Sequence, residues 1–304
     1  MMISVINLNS KTETKAWEQS LFYAAPGERI TFLWLVLIHA AGIVGLIFLP
    51  LPSTSVLVAT LILTTLGAQG TTIAYHRALT HRGVELHPWA EKFFIFFAVF
   101  NGSGTPMTWV PNHRRHHATA DTPDDVSSPH HGGFWWSHLR WLYQVEQSAV
   151  EKYSPDLKVS KYQIWNKILV PTLFVSFFFG AIWGASAWLW LGPIRLLFAL
   201  HAQCTVNSIC HLGEMDPNQV RRGTSKNIWW LTPLHLGHGE NWHGNHHEDQ
   251  ANPKLGRGFW QIDLAWVLIL AMKRVGLVKR LRRTNTEMDY ATSNNASAIS
   301  AGNV

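Results

Sequence analysis

From Ile30 to Leu51 the chain carries no formal charge. Wound as a helix at about 1.5 Å per residue, that run covers the ~30 Å hydrocarbon core of a bilayer. Inside lipid every backbone N–H and C=O has to be bonded within the protein, so a helix is the form such a run takes. After the uncharged turn Pro50-Leu51-Pro52-Ser53, a second run from Val56 to Tyr75 brings the chain back and delivers His76 and Arg77 to the side from which it started. Two later apolar runs complete the set, and the expected membrane helices cover about 30–51, 56–76, 168–183 and 187–211. Arg195 falls inside the last of these, an expensive position from which it should face protein or a polar substrate group, or snorkel outward. These runs predict an all-α integral membrane protein with four transmembrane helices and a cap on one face.

Composition agrees with a bilayer. Charged residues are 14% of the chain, against about 25% in an average soluble domain. There are 16 Trp and 6 Tyr, the side chains that favour the two membrane interfaces. The net charge of +6 comes from basic residues that mostly flank the apolar runs, the pattern of cytoplasmic loops, so no nucleic-acid partner is expected. Residues 1–29 lack a basic stretch followed by an apolar core, so they read as a cytoplasmic N-terminal segment and not as a secretory signal. The membrane domain is expected over 30–284, with a disordered tail over 285–304. Cys204 and Cys210 lie six residues apart in a predicted helix, about 9 Å along its axis, too far for a disulfide.

Between the second and third membrane helices, the run Phe93 to Phe100 is cut short by Asn101-Gly102-Ser103-Gly104-Thr105-Pro106, and predicts a helix lying in or just under the interface. Residues 118–163 read as a solvated loop. Ile262 to Leu270 is too short to span and predicts an amphipathic helix of the cap. The basic residues after it, Lys273, Arg274, Lys279, Arg280, Arg282 and Arg283, suit anionic membrane lipid better than an acidic redox partner.

Ten of the 17 histidines fall inside residues 76–81, 113–117 and 235–247. His113, His116 and His117 have the spacing i, i+3, i+4, which puts three imidazoles on one helical face, and His243, His246 and His247 repeat it. His76 and His81 lie ~140° apart in an ideal α-helix, so that box should sit where its helix ends and the backbone turns. Asn207 and His211, i and i+4, share a face near the same end of the fourth helix. Imidazole suits Fe, Zn, Cu and Ni alike. Eight box histidines plus His211 exceed two tetrahedral zinc sites and suit two metals of higher coordination number. Isolated histidines such as His39, His87 and His138 read as packing residues, while His201, His235 and His238 read either as outer partners of ligands or as structural groups.

His76-Arg77-Ala78-Leu79-Thr80-His81, His113-Arg114-Arg115-His116-His117 and Gly239-Glu240-Asn241-Trp242-His243-Gly244-Asn245-His246-His247 together resemble the three histidine boxes of the membrane-bound fatty acyl desaturase family, specifically its Δ9 (stearoyl-type) branch. Asn207-Ser208-Ile209-Cys210-His211 and Phe134-Trp135-Trp136-Ser137-His138 are similar to further segments of that branch. The resemblance implies four transmembrane helices and a cytoplasmic cap holding a di-iron centre. Its ligands would be His76, His81, His113, His116, His117, His211, His243, His246 and His247, with Asn207 reaching iron through water. It implies an O₂-dependent desaturase that sets a cis double bond, at Δ9, into a saturated C16–C18 chain. Two electrons would come from an external donor such as ferredoxin or cytochrome b5, and water would be released. The chain departs from the family at Asn241 and Gly244, and Pro111-Asn112 stands where acyl-CoA enzymes carry Arg-Asp. Of the lipid-linked, carrier-protein-linked and CoA-linked substrates the family admits, that speaks against the CoA thioester and leaves the other two open. A di-iron hydroxylase is the nearest alternative activity, and a metal transporter or buffer the non-enzymatic one. The compact N-terminal segment suggests a bacterial inner or thylakoid membrane in preference to endoplasmic reticulum. A straight acyl chain beside such a centre would end against the second helix, where Thr60 and Thr64 lie roughly 24 and 18 Å before His76.

Overall fold

The computed structural model describes residues 14–214, 217–218 and 222–282; the expected tail over 285–304 lies outside them. Among the described residues four helices are long and apolar enough to cross a membrane, Arg29–Phe48, Thr54–Thr80, Ser160–Trp183 and Ala185–Ser208. The first, α1 (Arg29–Phe48), stops just before Pro50, because the residue ahead of a proline is pushed out of helical geometry. The second starts as α2 (Thr54–Gln69), capped by the Ser53 hydroxyl, and continues as a π-helix over Gly70–Thr80. It therefore runs through His76 where a helix ending at 76 was expected. The third begins at Ser160, well ahead of the expected 168, and its α-helical part, α5 here (Ser160–Phe177), ends before the left-handed Gly180. The fourth begins at Ala185 and closes with α6 (Arg195–Ser208), so His211 lies just beyond its end.

The helix between the second and third spans does not lie flat. α3 (Pro88–Phe100) runs back down alongside the second span: a Cβ on Gly70 would stand 2.3 Å from the Phe94 carbonyl oxygen, and one on Gly67 would meet the Asn101 side chain. The chain turns at Asn101–Thr105, where Ser103 Oγ is 2.8 Å from Thr71 Oγ1 and the Tyr75 hydroxyl donates to Gly104 O at 3.0 Å. It then climbs again as α4 (Pro106–Thr119). Gly67 is nine residues before His76, so this hairpin reaches about 13 Å below the box. Irregular backbone at that depth needs partners from protein, and Arg195, fully buried, provides them. Its guanidinium donates to Asn101 Oδ1 at 2.9 Å, to Phe100 O at 3.4 Å, to Leu191 O at 2.8 Å and to Ser176. Of the expected placements, the one facing protein is observed, and a cation there also suits the carbonyl end of α3.

Among the described residues the cap is built from loops, short helices and one strand pair. α7 (His243–Glu248) carries the third box. α8 (Leu264–Arg274) buries Ala265, Ile269 and Met272 and leaves Leu264, Val267 and Leu270 exposed, so it is apolar on both faces up to Lys273 and Arg274, where an amphipathic helix with a polar face was expected. Strands β1 (Val84–Leu86) and β2 (Val278–Leu281) pair antiparallel, with Val84 opposite Leu281. The 118–163 segment is not the solvated loop expected. Asp125, Ser127, Ser128, Trp136, Ser137 and His138 are all buried, because this segment packs against the histidines, as described next.

Candidate metal centre

The first box is brought together by winding. The His81 amide donates to His76 O at 3.2 Å, the i to i+5 bond of a π-helix, so residues five apart overlie each other and the two rings have centroids 5.0 Å apart. The helix ends at Thr80, directly before His81. The second box lies on α4, whose N-terminus is fixed by Pro106 and a reciprocal Thr105–Thr108 cap. Arg114 in that box donates to Leu79 O at 2.7 Å and Thr80 O at 3.2 Å, tying the two boxes together at the π-helix terminus. The third box has only a six-residue helix, too short to stand alone. Asn245 anchors it, donating to Leu255 O at 2.8 Å and Gln261 Oε1 at 2.7 Å and accepting from Asn227 at 2.8 Å. Gly244 gives the room this needs, since a Cβ there would lie 3.2 Å from Ser225 O, and Asn241, fully buried, donates to Ile228 O and the Thr232 hydroxyl.

Nine histidines from four segments converge in two groups, each with ligand nitrogens within 4.8 Å of one another: His76, His81, His113, His117 and His246 in one, His116, His211, His243 and His247 in the other. Their Nε2 atoms face inward. In the first group His76–His246, His113–His117 and His117–His246 approach to 3.1, 3.1 and 2.9 Å. In the second, His211–His243, His243–His247 and His116–His247 approach to 2.9, 3.0 and 3.4 Å. Ligand bonds of about 2.1 Å meeting at right angles put their nitrogens about 3 Å apart, so these separations fit nitrogens that could share one ion. His81 Nε2 is buried with no hydrogen-bond partner, an orphan that a cation would satisfy.

Carboxylates lie behind the ligands. Glu240 Oε2 is 2.8 Å from His76 Nδ1, Asp125 Oδ2 is 2.9 Å from His116 Nδ1, and Asp121 Oδ1 is 3.4 Å from His211 Nδ1. A carboxylate at Nδ1 holds the ring proton there and leaves the Nε2 lone pair for a metal. Burial, with the neighbouring imidazoles, holds His81, His113, His117, His243, His246 and His247 well below the usual histidine value. Neutral, lone-pair-bearing rings are what a metal requires. Burial works against the Glu240 carboxylate, but His76, Arg77 and Thr72 outweigh it and bring the group down to about 2. These three acidic residues escaped the sequence reading, which looked for ligands and had no spacing rule for their partners. Asp121 and Asp125 follow the second box by four and eight residues beyond His117, a proximity that offered the one available signal.

The remaining histidines lie outside both groups, although His130 donates from Nε2 to His211 O at 3.0 Å. His235 Nε2 is 2.8 Å from Thr205 Oγ1 and 3.1 Å from Ala202 O, a structural bond and not a contact to a ligand. His87 Nδ1 accepts from Trp89 N at the start of α3. His39, His201 and His138 form a chain, 3.2 and 2.9 Å between nitrogens, that ends on Ser208 at 2.8 Å. Asn207 sits half-buried on α6, one turn before His211. Thr64 is buried and Thr60 half-buried, and each hydroxyl bonds back to its own helix, to Thr60 O and Val56 O at 2.7 and 2.8 Å.

A model of the fatty acid desaturase family matches residues 51–271. The chain is 35% identical over 226 residues to "Delta-9 acyl-lipid desaturase 1" of Arabidopsis thaliana, covering 71% of this chain and 72% of that protein. It is 30% identical over 222 residues to an "sn-1 stearoyl-lipid 9-desaturase" of Synechocystis sp., covering 71% and 68%. A protein of the same description from Anabaena variabilis is 30% identical over 266 residues, 82% of this chain and 93% of that protein.

Proposed function

Since the chain belongs to the fatty acid desaturase family and is an oxidoreductase acting on fatty acyl chains, we propose that it sets a cis double bond at Δ9 of a saturated C16–C18 chain. The reaction would consume O₂ at a di-iron centre ligated by the nine converging histidines, with Asn207 reaching iron through water. The observation that carries this reading is the pair of inward-facing Nε2 clusters, of five and four. Two irons, reduced by an external donor of the ferredoxin or cytochrome b5 class, would supply the oxidising power that unactivated methylenes demand.

The protein's own part is positional. Asp125 holds the Nδ1 proton of His116, and Glu240 and Asp121 lie beside Nδ1 of His76 and His211, where their charge favours the proton on that nitrogen and the lone pair at Nε2. The hairpin of α3 and α4 sets the second box against the first, and Asn245 sets the third against both. A lipid-linked substrate is supported by the names of the relatives and by Asn112, which is occupied with Gln147 Oε1 at 2.9 Å and the Ser148 amide at 3.0 Å. No charged pair stands there to meet a CoA. The cap and the centre are assigned to the cytoplasmic face of a bacterial inner or thylakoid membrane, the positive-inside pattern being the support.

Expression in a host that lacks desaturation, followed by chromatography of its lipids, tests the reaction. New Δ9-monounsaturated C16 and C18 chains are expected. Hydroxylated chains without new unsaturation would make the enzyme a hydroxylase. The same chromatogram tests the chain-length role proposed for Thr60 and Thr64. Thr60→Trp or Thr64→Trp should shift products toward shorter chains while the double bond keeps its distance from the carboxyl end. An unchanged profile with full activity in both variants would place the end of the chain elsewhere.

A further inference from the structure

The two groups of histidines differ in more than their number. Behind the four-histidine group stand two carboxylates with no lysine or arginine paired to either among the described residues. Asp125, 1% exposed, accepts from the Asp121 amide at 3.1 Å and from the Ser127 amide and hydroxyl at 3.1 and 3.2 Å, beside its contact with His116. Asp121 accepts from the Thr224 amide and hydroxyl at 3.1 and 2.8 Å, with His211 on its other oxygen. One further imidazole, that of His130, lies 3.9 Å away. Behind the five-histidine group stands a single carboxylate, Glu240, whose second oxygen bonds the Thr72 hydroxyl and lies 3.8 Å from the Arg77 guanidinium. Nδ1 of His117 and of His246 have no hydrogen-bond partner there, as Nδ1 of His243 has none in the four-histidine group.

Resting on the di-iron reading above, we propose that Asp121 and Asp125 on one side, and Glu240 shared with Arg77 on the other, make the two metal positions unequal. The four-histidine position is the one that favours Fe(III), and the five-histidine position the one that favours Fe(II). The reason is electrostatic. An imidazole whose Nδ1–H is held by a carboxylate is a more basic ligand, and two uncompensated negative charges within a buried site stabilise the higher-charged ion. At the other position there is one such charge against two, Glu240, with Arg77 3.8 Å away but bonded to Asp263, and more neutral ligands share the ion. Asp121, Asp125 and Glu240 are thus positioning residues, each acting on a particular iron through a particular histidine.

The test uses the full-length protein in detergent, stripped of metal and titrated anaerobically with ⁵⁷Fe²⁺ under Mössbauer detection. The wild type should bind two irons that give two ferrous doublets of equal area. Asp125→Asn should weaken one of them about 10–100-fold and leave the other, and Glu240→Gln should do the reverse. One equivalent of ferricyanide, a one-electron oxidant, should convert the Asp125-sensitive doublet to ferric first. Loss of both irons together in either variant, sensitivity of the same doublet to both substitutions, or ferric conversion of the Glu240-sensitive doublet first would overturn the proposal. If Asp125→Asn does not fold, Thr224→Val keeps every carboxylate while removing a bond that aims Asp121. It should weaken the same iron by a smaller factor, and an unchanged or uniformly lowered affinity would count against the idea. A wild type that binds fewer than two irons defeats the di-iron reading instead, so the two failures are distinguishable.

Discussion

Replacing His116 with alanine is expected to abolish turnover and to lower bound iron from about two toward one per chain. His116 is 3% exposed, its Nε2 faces His247 within the four-histidine group, and its Nδ1 is held by Asp125. Nothing else in that group can move into its place, because His211, His243 and His247 are already buried and directed at the same point. Even removal of an outer partner of a ligand lowers affinity about 10–100-fold, so deletion of a ligand should exceed that. Iron analysis of the purified variant and lipid chromatography of the expressing cells measure the two effects. Full desaturation by the variant would defeat the assignment of His116, and with it the four-histidine position.

The second large effect is on stability. Arg77 is 2% exposed and bridges the π-helix to two distant parts of the cap. It donates to His238 O at 2.7 Å, to Pro253 O at 2.8 Å, and to both oxygens of Asp263 at 2.9 and 3.2 Å. Asp263 in turn accepts from the amides of Leu255 and Gly256 and caps α8 through the Trp266 amide at 3.0 Å. Arg77→Met leaves that carboxylate buried without its cation, and removing one partner of a buried pair costs about 3–5 kcal/mol. Arg77→Lys should rescue little, because a single ammonium cannot span four acceptors fixed for a planar fork. The thermal unfolding midpoint in detergent should therefore fall in both variants and recover in part when Asp263→Asn is added to Arg77→Met, since the stranded charge is then gone. A midpoint for Arg77→Met equal to that of the wild type would show that the cap does not depend on this bridge.

Much of the candidate site can be read from the sequence because its signals are local. A charge-free run long enough to span, and histidines at i, i+3 and i+4, are properties of a few consecutive residues, and neither depends on the rest of the chain. The same locality explains the misses. The expected end of the second helix at 76 assumed α-helical winding throughout, but from Gly70 the chain winds more widely, with α3 packed against that glycine. The 118–163 segment looked solvated because it is polar, and it is polar because buried imidazoles need its carboxylates.

The sequence by itself determined that this chain crosses a membrane, that its helices carry three phased histidine boxes to one level, and which family it resembles. Tertiary structure alone decided how the boxes divide. His113 and His117 go to one group while His116, on the same turn of α4, goes to the other, and α7 divides likewise between His246 and the pair His243 and His247. Spacing places a side chain on a face of its own helix. Which nitrogens then meet depends on how the helices cross, and that is set by contacts remote in sequence, such as Arg77 with Asp263, 186 residues apart, and Arg114 with Leu79 O, 35 residues apart.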